Sequence, residues 1–341
     1  MADDQRVGVL FVYPNESSFV ATDLRLLSKH FRVLPFCYRI EKGAGRRFLL
    51  HLVARRREYD IVFCWFGDIH ATLAVRASRF LGKPVVVVAG GYDTTYIPSI
   101  RYGLLADKGK RTRAREAFSG AHRVIVVDKS LERELKSQLG LDGSNIQVVH
   151  TGYDPEVFKP SREKDSKSVL TVGAVNEQNL KRKGLETFAR AAAQLPEFRF
   201  RLVGPWQDPR TAERLKAAAP VNLILTGELD ESQLVSEFGR AGVYAQLSMF
   251  EGLPNAVAEA MLAECVPVAT RVCGIPTLVG DCGFYVPVGD PTASAMAIRA
   301  AAIAEFGPRA RLRIANGFSM QRREQALTSL IQEFAGNGET S

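Results

Sequence analysis

Two glutamates with seven residues between them, Glu251 and Glu259, bracket a sequence built to hold an anion. Gly252 and Pro254 break regular structure just ahead of an apolar helical run over 255–264. Asn255 is a good cap for that helix, or Pro254 is its first residue. Such a helix start offers free backbone N–H groups and the positive end of the helix dipole, a natural seat for a diphosphate. Glu259 falls one turn inside, on the face of Asn255, while Glu251 stays in the preceding loop. A carboxylate can accept both hydroxyls of a ribose diol, and a second carboxylate beside a diphosphate is tolerable where it meets sugar hydroxyls. The arrangement suggests Glu259 on a ribose and Glu251 on a further sugar. On spacing alone, a solvated or dipole-stabilised pair of helix glutamates is the plainer reading. A basic turn, Lys181-Arg182-Lys183-Gly184, lies upstream and opens another helix.

These residues need a frame, and the chain alternates apolar β-rich runs with helical stretches throughout. In the first half, strands are predicted over 7–12, 33–37, 60–63, 85–88 and 124–127. Helical spacing covers 23–30, with Thr22 as its cap, and 46–57. In the second half, strands are predicted over 169–172, 200–203, 223–226, 243–247, 266–270 and 284–286. Helices are expected between them over 185–194, 230–239, 255–264 and 292–306. Near-continuous Val/Ile runs mark strands covered on both faces, as in a parallel sheet, and the alternation implies an α/β fold. Asp154-Pro155, Pro160 and the polar run 161–168 read as a linker between two such blocks. Ligands of open α/β sheets bind beyond the C-terminal strand ends, so two facing domains would hold one in the cleft between them.

The 341 residues suit two domains, and 46% hydrophobic with 24% charged residues excludes a disordered or fibrous chain. Asp3 and Asp4 sit where a signal peptide is basic, and no apolar run approaches the roughly 20 residues of a membrane span. Five cysteines without a C-x-x-C pair read as free thiols. Together these features give a cytoplasmic expectation. Charge is uneven: residues 1–155 hold 24 Lys and Arg against 16 Asp and Glu, the rest 21 against 21. An anionic partner is therefore expected for the first half. Arg46, Arg47 and Arg55-Arg56-Arg57 flank the apolar stretch 48–54, and a second basic run spans 108–115. The stretch reads either as a basic amphipathic helix on an anionic membrane, or as a helix whose Phe48, Leu49 and Leu52 face the core. Nucleic acid is not expected, since the basic runs lack interleaved aromatics and a recognised motif.

In context, Glu251 and Glu259 form the E-x7-E motif of the retaining family-4 glycosyltransferases with the GT-B fold, which the chain resembles over roughly residues 120–335. The segment 223–229 is similar to that family's base-binding strand and loop. Ser248 stands where the family usually has serine. The segments 266–270, 274–277 and 283–287 follow in the family's order, 152–160 resembles its interdomain segment, and Phe318-Ser319 the start of its helix crossing back to the first domain.

The resemblance implies two Rossmann-like domains facing a central cleft: an acceptor-side domain, 1–157, a nucleotide-sugar domain, 165–320, and a returning helix, 321–341. It implies retention of anomeric configuration, no bound metal and no cofactor beyond the nucleotide-sugar substrate. Lys183 matches the family's phosphate-binding lysine, and Arg182 could add a bidentate contact. The donor site it implies comprises Gly173, Arg182, Lys183, Leu229, Glu251, Gly252, Leu253, Pro254, Asn255 and Glu259.

Several positions depart from the family. Ala174 replaces a common phosphate-binding arginine, the first loop over 14–19 lacks the usual glycine pair, and no histidine follows the strand at 85–88. Asp93 is expected there instead, on a sugar hydroxyl or the acceptor nucleophile, with His70 a further candidate. The acceptor is an unknown hydroxyl, lipid-linked if the basic segments dock on a membrane. A relative that binds the nucleotide-sugar without transferring it is the alternative. A nicotinamide-dependent oxidoreductase would need a G-x-G-x-x-G motif that neither candidate first strand carries.

Overall fold

The computed structural model describes residues 6–336; the expectation drawn from Asp3 and Asp4 lies outside them. Chain order runs β1 (Gly8–Tyr13), α1 (Ser18–Ser28), β2 (Arg32–Cys37), α2 (Ala44–Ala54), β3 (Ile61–Trp65), α3 (Ile69–Leu81) and β4 (Val85–Ala89). Three short 3-10 turns precede α4 (Lys108–Gly120), β5 (Arg123–Val126), α5 (Lys129–Leu139) and β6 (Ile146–Val148). A second alternation follows: β7 (Asp165–Val172), α6 (Glu177–Arg182), α7 (Leu185–Ala192), β8 (Arg199–Val203), α8 (Pro209–Ala217), β9 (Leu223–Gly227), α9 (Glu231–Arg240) and β10 (Ala241–Gln246). It continues through α10 (Asn255–Leu262), β11 (Val266–Thr270), α11 (Ile275–Val279), β12 (Phe284–Val286), α12 (Pro291–Ala301) and α13 (Gly307–Gly317) before α14 (Met320–Gly336). Contacts divide the described residues into two compact units, one running to Gly152 and resuming at Met320, the other Tyr153–Ser319.

Each unit is a Rossmann-like layer of helices on a six-stranded parallel sheet. The first sheet has the order β2-β1-β3-β4-β5-β6 and the second β12-β11-β10-β7-β8-β9. The predicted central strands are wholly buried, as β1, β3 and β4 show residue by residue. In the second sheet the strand order reverses between β7 and β10, the crevice where ligands of such sheets bind. The residues after those two strands are therefore the candidates for a ligand site.

Some local expectations change. The first helix starts at Ser18, with Ser17 at the cap position, and Thr22 lies inside it. Val20, Asp23, Leu26 and Leu27 form its buried stripe. Asp23 reads as polar in sequence but is buried against Arg323 of α14, whose guanidinium donates to both carboxylate oxygens at 3.0 and 2.6 Å. The polar run taken as linker is partly strand, since β7 begins at Asp165, which pairs with Ala241. Lys164 fills the space beneath, donating to the carbonyls of Ala241 and Ala263, each at 2.7 Å. None of the five cysteines is in a disulfide; Cys64, Cys265 and Cys282 are buried, Cys273 is half-buried and Cys37 is exposed. Among the described residues no helix is long and apolar enough to cross a membrane.

Candidate functional site

Three segments of the second unit are stitched together at the β7/β10 crevice. The Met249 N–H donates to the Arg182 carbonyl at 2.7 Å, and the Gly274 N–H to the Gly252 carbonyl at 3.1 Å. Gly184 makes the first junction possible: its φ is +68°, and a Cβ there would stand 2.2 Å from the Leu247 carbonyl oxygen. Only glycine fits, so the glycine of the K-G pair is demanded by the backbone. The turn sets Lys183 at the C-cap of α6, beside Gly173, where an added Cβ would meet the Lys183 side chain at 3.0 Å.

Glu251 is the centre of this cluster. Its Oε1 accepts from Ser248 Oγ at 2.9 Å and Gln246 Nε2 at 3.1 Å, and Lys183 Nζ lies 3.2 Å away. Arg182 approaches the other oxygen at 3.6 Å. Burial pushes the Glu251 carboxyl up, but Lys183, Arg182 and the Ser248 hydrogen bond outweigh it and hold the group below its usual range. It is a fixed anion. Arg182 itself is buried, its Nε donating to Asn179 Oδ1 at 3.0 Å, which makes it a brace for the loop.

Behind Glu251 runs a buried polar chain that the sequence reading missed. Tyr244 donates to Gln246 Oε1 at 2.9 Å, and Gln246 Nε2 donates onward to Ser248 Oγ at 2.7 Å as well as to Glu251. Tyr244, Gln246 and Ser248 alternate, so they share one face of the strand and its extension. A glutamine within the otherwise apolar central strand was the available signal.

The helix α10 starts at Asn255, with Pro254 at the cap, so neither reading made from the sequence holds in detail. The Asn255 carboxamide does not cap: its Oδ1 accepts from Tyr153 at 3.0 Å. With no side-chain cap, the N-terminal end of α10 keeps its capacity for an anion. Leu253 and Pro254 are buried and Gly252 half-buried. Glu259 is half-buried, and desolvation lifts its carboxyl to about 7, with Glu231 adding to the rise and Lys183 opposing it. Leu229 is half-buried in the loop after β9, two strands across the sheet from β7.

The first unit places the remaining candidates differently. Asp93 is 1% exposed, and its carboxylate accepts from the backbone N–H groups of Gly67 at 2.8 Å and of Gly90 and Gly91 at 3.0 Å each. Burial raises its carboxyl to about 6, against the pull of those N–H groups. In this geometry it ties the loops after β3 and β4 together. His70 is likewise buried, with Nε2 2.7 Å from the Trp65 carbonyl oxygen, and burial lowers its pKa.

Comparison with known proteins agrees with this architecture. Residues 3–157 match the model described as Glycosyltransferase Family 4, and residues 166–302 the model described as Glycosyl transferases group 1. A sulfoquinovosyl transferase of Arabidopsis thaliana is 24% identical over 248 residues, 68% of this chain and 47% of that protein. A D-inositol 3-phosphate glycosyltransferase of Mycolicibacterium smegmatis is 32% identical over 184 residues, 49% of this chain and 42% of the relative. The chain thus spans about half the length of the curated relatives it matches. An Anabaena protein solved in complex with UDP-glucose superposes with a TM-score of 0.77 at 17% identity, over 96% of this chain and 99% of that one. With two family models matching consecutive stretches that cover most of the sequence, and two Rossmann-like units in the corresponding places, the chain belongs to the family-4-type glycosyltransferases with the GT-B fold.

Proposed function

We propose that the chain is a retaining glycosyltransferase that moves a sugar from a nucleoside-diphosphate sugar, held by the second unit, to an acceptor hydroxyl. The observation that carries this reading is the Glu251 carboxylate, hydrogen-bonded from behind and paired with Lys183 at the mouth of the β7/β10 crevice. A fixed anion with a cation beside it, next to an uncapped helix start, suits a sugar hydroxyl adjoining a diphosphate. Glu259 takes the ribose diol. The UDP-glucose bound by the Anabaena relative supports a donor of this class.

In the reaction the bond between the anomeric carbon and the diphosphate oxygen breaks, through an oxocarbenium-like transition state. The electron pair stays on the diphosphate, and Lys183 with the α10 N-terminus stabilises the growing charge more than the ground state. The acceptor oxygen bonds to the anomeric carbon on the departing side, and its proton passes to the released phosphate oxygen. Glu251 orients the sugar and forms no covalent bond. The reaction needs no divalent cation, and turnover survives a chelator.

The first unit supplies the acceptor side at an anionic membrane surface, and the acceptor is a lipid-linked or polysaccharide-precursor hydroxyl. Helix α2 buries Phe48 and Leu52 in the core and exposes Leu50 at 62%, Val53 at 49% and Leu49 at 37%. Exposed Arg46, Arg47, Arg56 and Arg57 lie on or beside that helix. The apolar-basic outer face is therefore made by Leu49, Leu50 and Val53, and not by the residues whose periodicity marks the core.

The deciding experiment is a thermal-shift screen against UDP, GDP, ADP and dTDP on the wild-type protein, Glu259→Ala and Lys183→Ala. One nucleotide stabilises the wild type and most of the shift disappears in both variants. Donor hydrolysis or transfer with that base then separates an enzyme from a non-catalytic nucleotide-sugar binder.

A further inference from the structure

Trp206 is one of two tryptophans in the chain, and it is 42% exposed where Trp65 is 1% exposed. It stands just past the C-terminal end of β8, on the ligand-binding edge of the second sheet, in the sequence Gly204-Pro205-Trp206. Its half-exposed indole presents a large, rigid aromatic face with a polar N–H at that edge, a surface on which a planar ligand can stack.

The loop carrying it is held on both sides. The Gly204 N–H donates to the Gly227 carbonyl at 2.9 Å, the Val175 N–H to the Pro205 carbonyl at 2.9 Å, and the Asp208 N–H to the Val175 carbonyl at 3.2 Å. Asn176 Nδ2 donates to Gln207 Oε1 at 2.7 Å. Gly204 permits this: its φ is +151°, and a Cβ there would fall 2.3 Å from the Gly173 carbonyl oxygen. The indole lies beside Gly227 at the end of β9, where an added Cβ would touch the ring at 3.9 Å. Lys216 Nζ stands 5.9 Å from the ring centroid, at the outer limit of a cation–π contact, so a planar ligand displacing it gives up little.

We infer that Trp206 is the stacking platform for the base of the nucleotide-sugar. This rests on the donor reading above and extends it along the sheet. Lys183 and Glu251 belong to the segments after β7 and β10, while β8 and β9 lie beyond β7 in the sheet order, with Gly227 and Leu229 at their end. A diphosphate at α10 and Lys183 leaves the base to reach toward those strands. Stacking on indole is indifferent to base identity, because every base presents a π-face. Trp206 therefore contributes affinity, and the choice of base falls to polar groups at the base edge.

The test follows indole emission and melting temperature together as UDP, GDP, ADP and dTDP are titrated into wild type, Trp206→Ala and Trp206→Phe. The nucleotide that stabilises the wild type also quenches its emission. Trp206→Ala loses the quench and binds about 5- to 100-fold weaker, the range expected for one base–aromatic stack, whereas Trp206→Phe stays within about 5-fold. With the sugar donor, Trp206→Ala raises KM and leaves kcat within about 2-fold, as loss of uniform binding requires. Nucleotide binding by wild type and Trp206→Ala with equal affinity, or a quench that persists in Trp206→Ala and so arises at Trp65, overturns the inference and leaves the donor site standing. A wild type that no nucleotide stabilises overturns the donor reading, and this inference with it.

Discussion

Lys183 Nζ stands 3.2 Å from Glu251 Oε1, in a pair whose side chains are 20% and 10% exposed. The lysine comes from the segment after β7 and the glutamate from the loop after β10, so the contact closes the switch point of the second sheet. It keeps Glu251 ionised despite burial, and in the proposed reaction it holds a cation ready for the leaving diphosphate.

Removing the cation has two separable effects. Lys183→Ala lowers kcat by about 100- to 1,000-fold, the scale of losing one preorganised charge-stabilising group. It destabilises the protein by less than the roughly 3–5 kcal/mol of an isolated broken buried pair, because Arg182 remains 3.6 Å from Glu251. Steady-state kinetics and thermal melts on the same samples check this, and full activity in Lys183→Ala would refute its role.

Glu259 gives the site a pH signature. Its carboxyl is raised to about 7 in the empty protein. The folded state then holds the proton more tightly than the unfolded one, so this group's contribution to stability falls as pH rises from about 4.5 to about 7. Glu259→Gln removes that fall, and its melting temperature exceeds the wild type's at pH 8. Ribose hydroxyls donate to the ionised carboxylate, so nucleotide binding releases a proton and strengthens as pH rises through 7. Calorimetry in buffers of different ionisation enthalpy measures the proton, with Glu259→Gln as the baseline for the nucleotide's own phosphate titration.

The chain Tyr244–Gln246–Glu251 predicts a split between stability and rate. Gln246→Leu leaves the Tyr244 hydroxyl without its acceptor and costs about 1–3 kcal/mol. It also removes one of the two neutral side-chain hydrogen bonds to Glu251 Oε1, leaving that of Ser248, and lowers kcat about 10-fold. Adding Tyr244→Phe removes the orphaned hydroxyl and recovers much of the stability while the rate stays low. Should rate and stability recover together, Gln246 is only a core residue.

In the first unit, Arg323 and Asp23 form a pair 1% and 2% exposed, and Arg323 also donates to the Val149 carbonyl at 2.6 Å. Arg323→Met strands a buried carboxylate and costs about 3–5 kcal/mol in denaturant unfolding, whereas Asp23→Leu with Arg323→Met is near neutral. A small effect of the single variant would mean that α14 is held by its apolar contacts alone.

The outer face of α2 should bind anionic vesicles. Wild type co-floats with vesicles rich in phosphatidylglycerol, each surface cation adding about 1 kcal/mol, and releases as salt shortens the screening length. Leu50→Asp abolishes flotation without changing the melting temperature, since Leu50 is 62% exposed. Equal flotation of Leu50→Asp, or no wild-type binding at all, removes the membrane from the proposal.

Much of the frame was legible in the sequence. Among the described residues, eleven of the twelve strands were foreseen, the central ones because a strand buried on both faces must be apolar along its length. The edge strand β6, Ile146–Val148, escaped because three residues are too few to show a pattern. Helix starts were less certain: an apolar stripe sets a helix's face, not its first residue, which is why Ser18 and Asn255 shifted roles. The glutamate spacing and the Lys183-Gly184 pair stand out in the sequence through the family resemblance, and of the four residues only Gly184 is dictated by local backbone geometry.

The sequence by itself determined the alternation of strands and helices, the uneven charge and the residues at the strand ends. Only the tertiary structure decided what those residues do. It turned Asp93 onto three backbone N–H groups, sank His70 into the core, paired Asp23 with Arg323 across 300 residues, and set Gln246 behind Glu251. Each outcome depends on a partner distant in sequence or on how deeply packing removes water, and neither is encoded in a residue's neighbours along the chain. A carboxylate in sequence is only an acid; its partners in space make it a clamp, a latch or a switch.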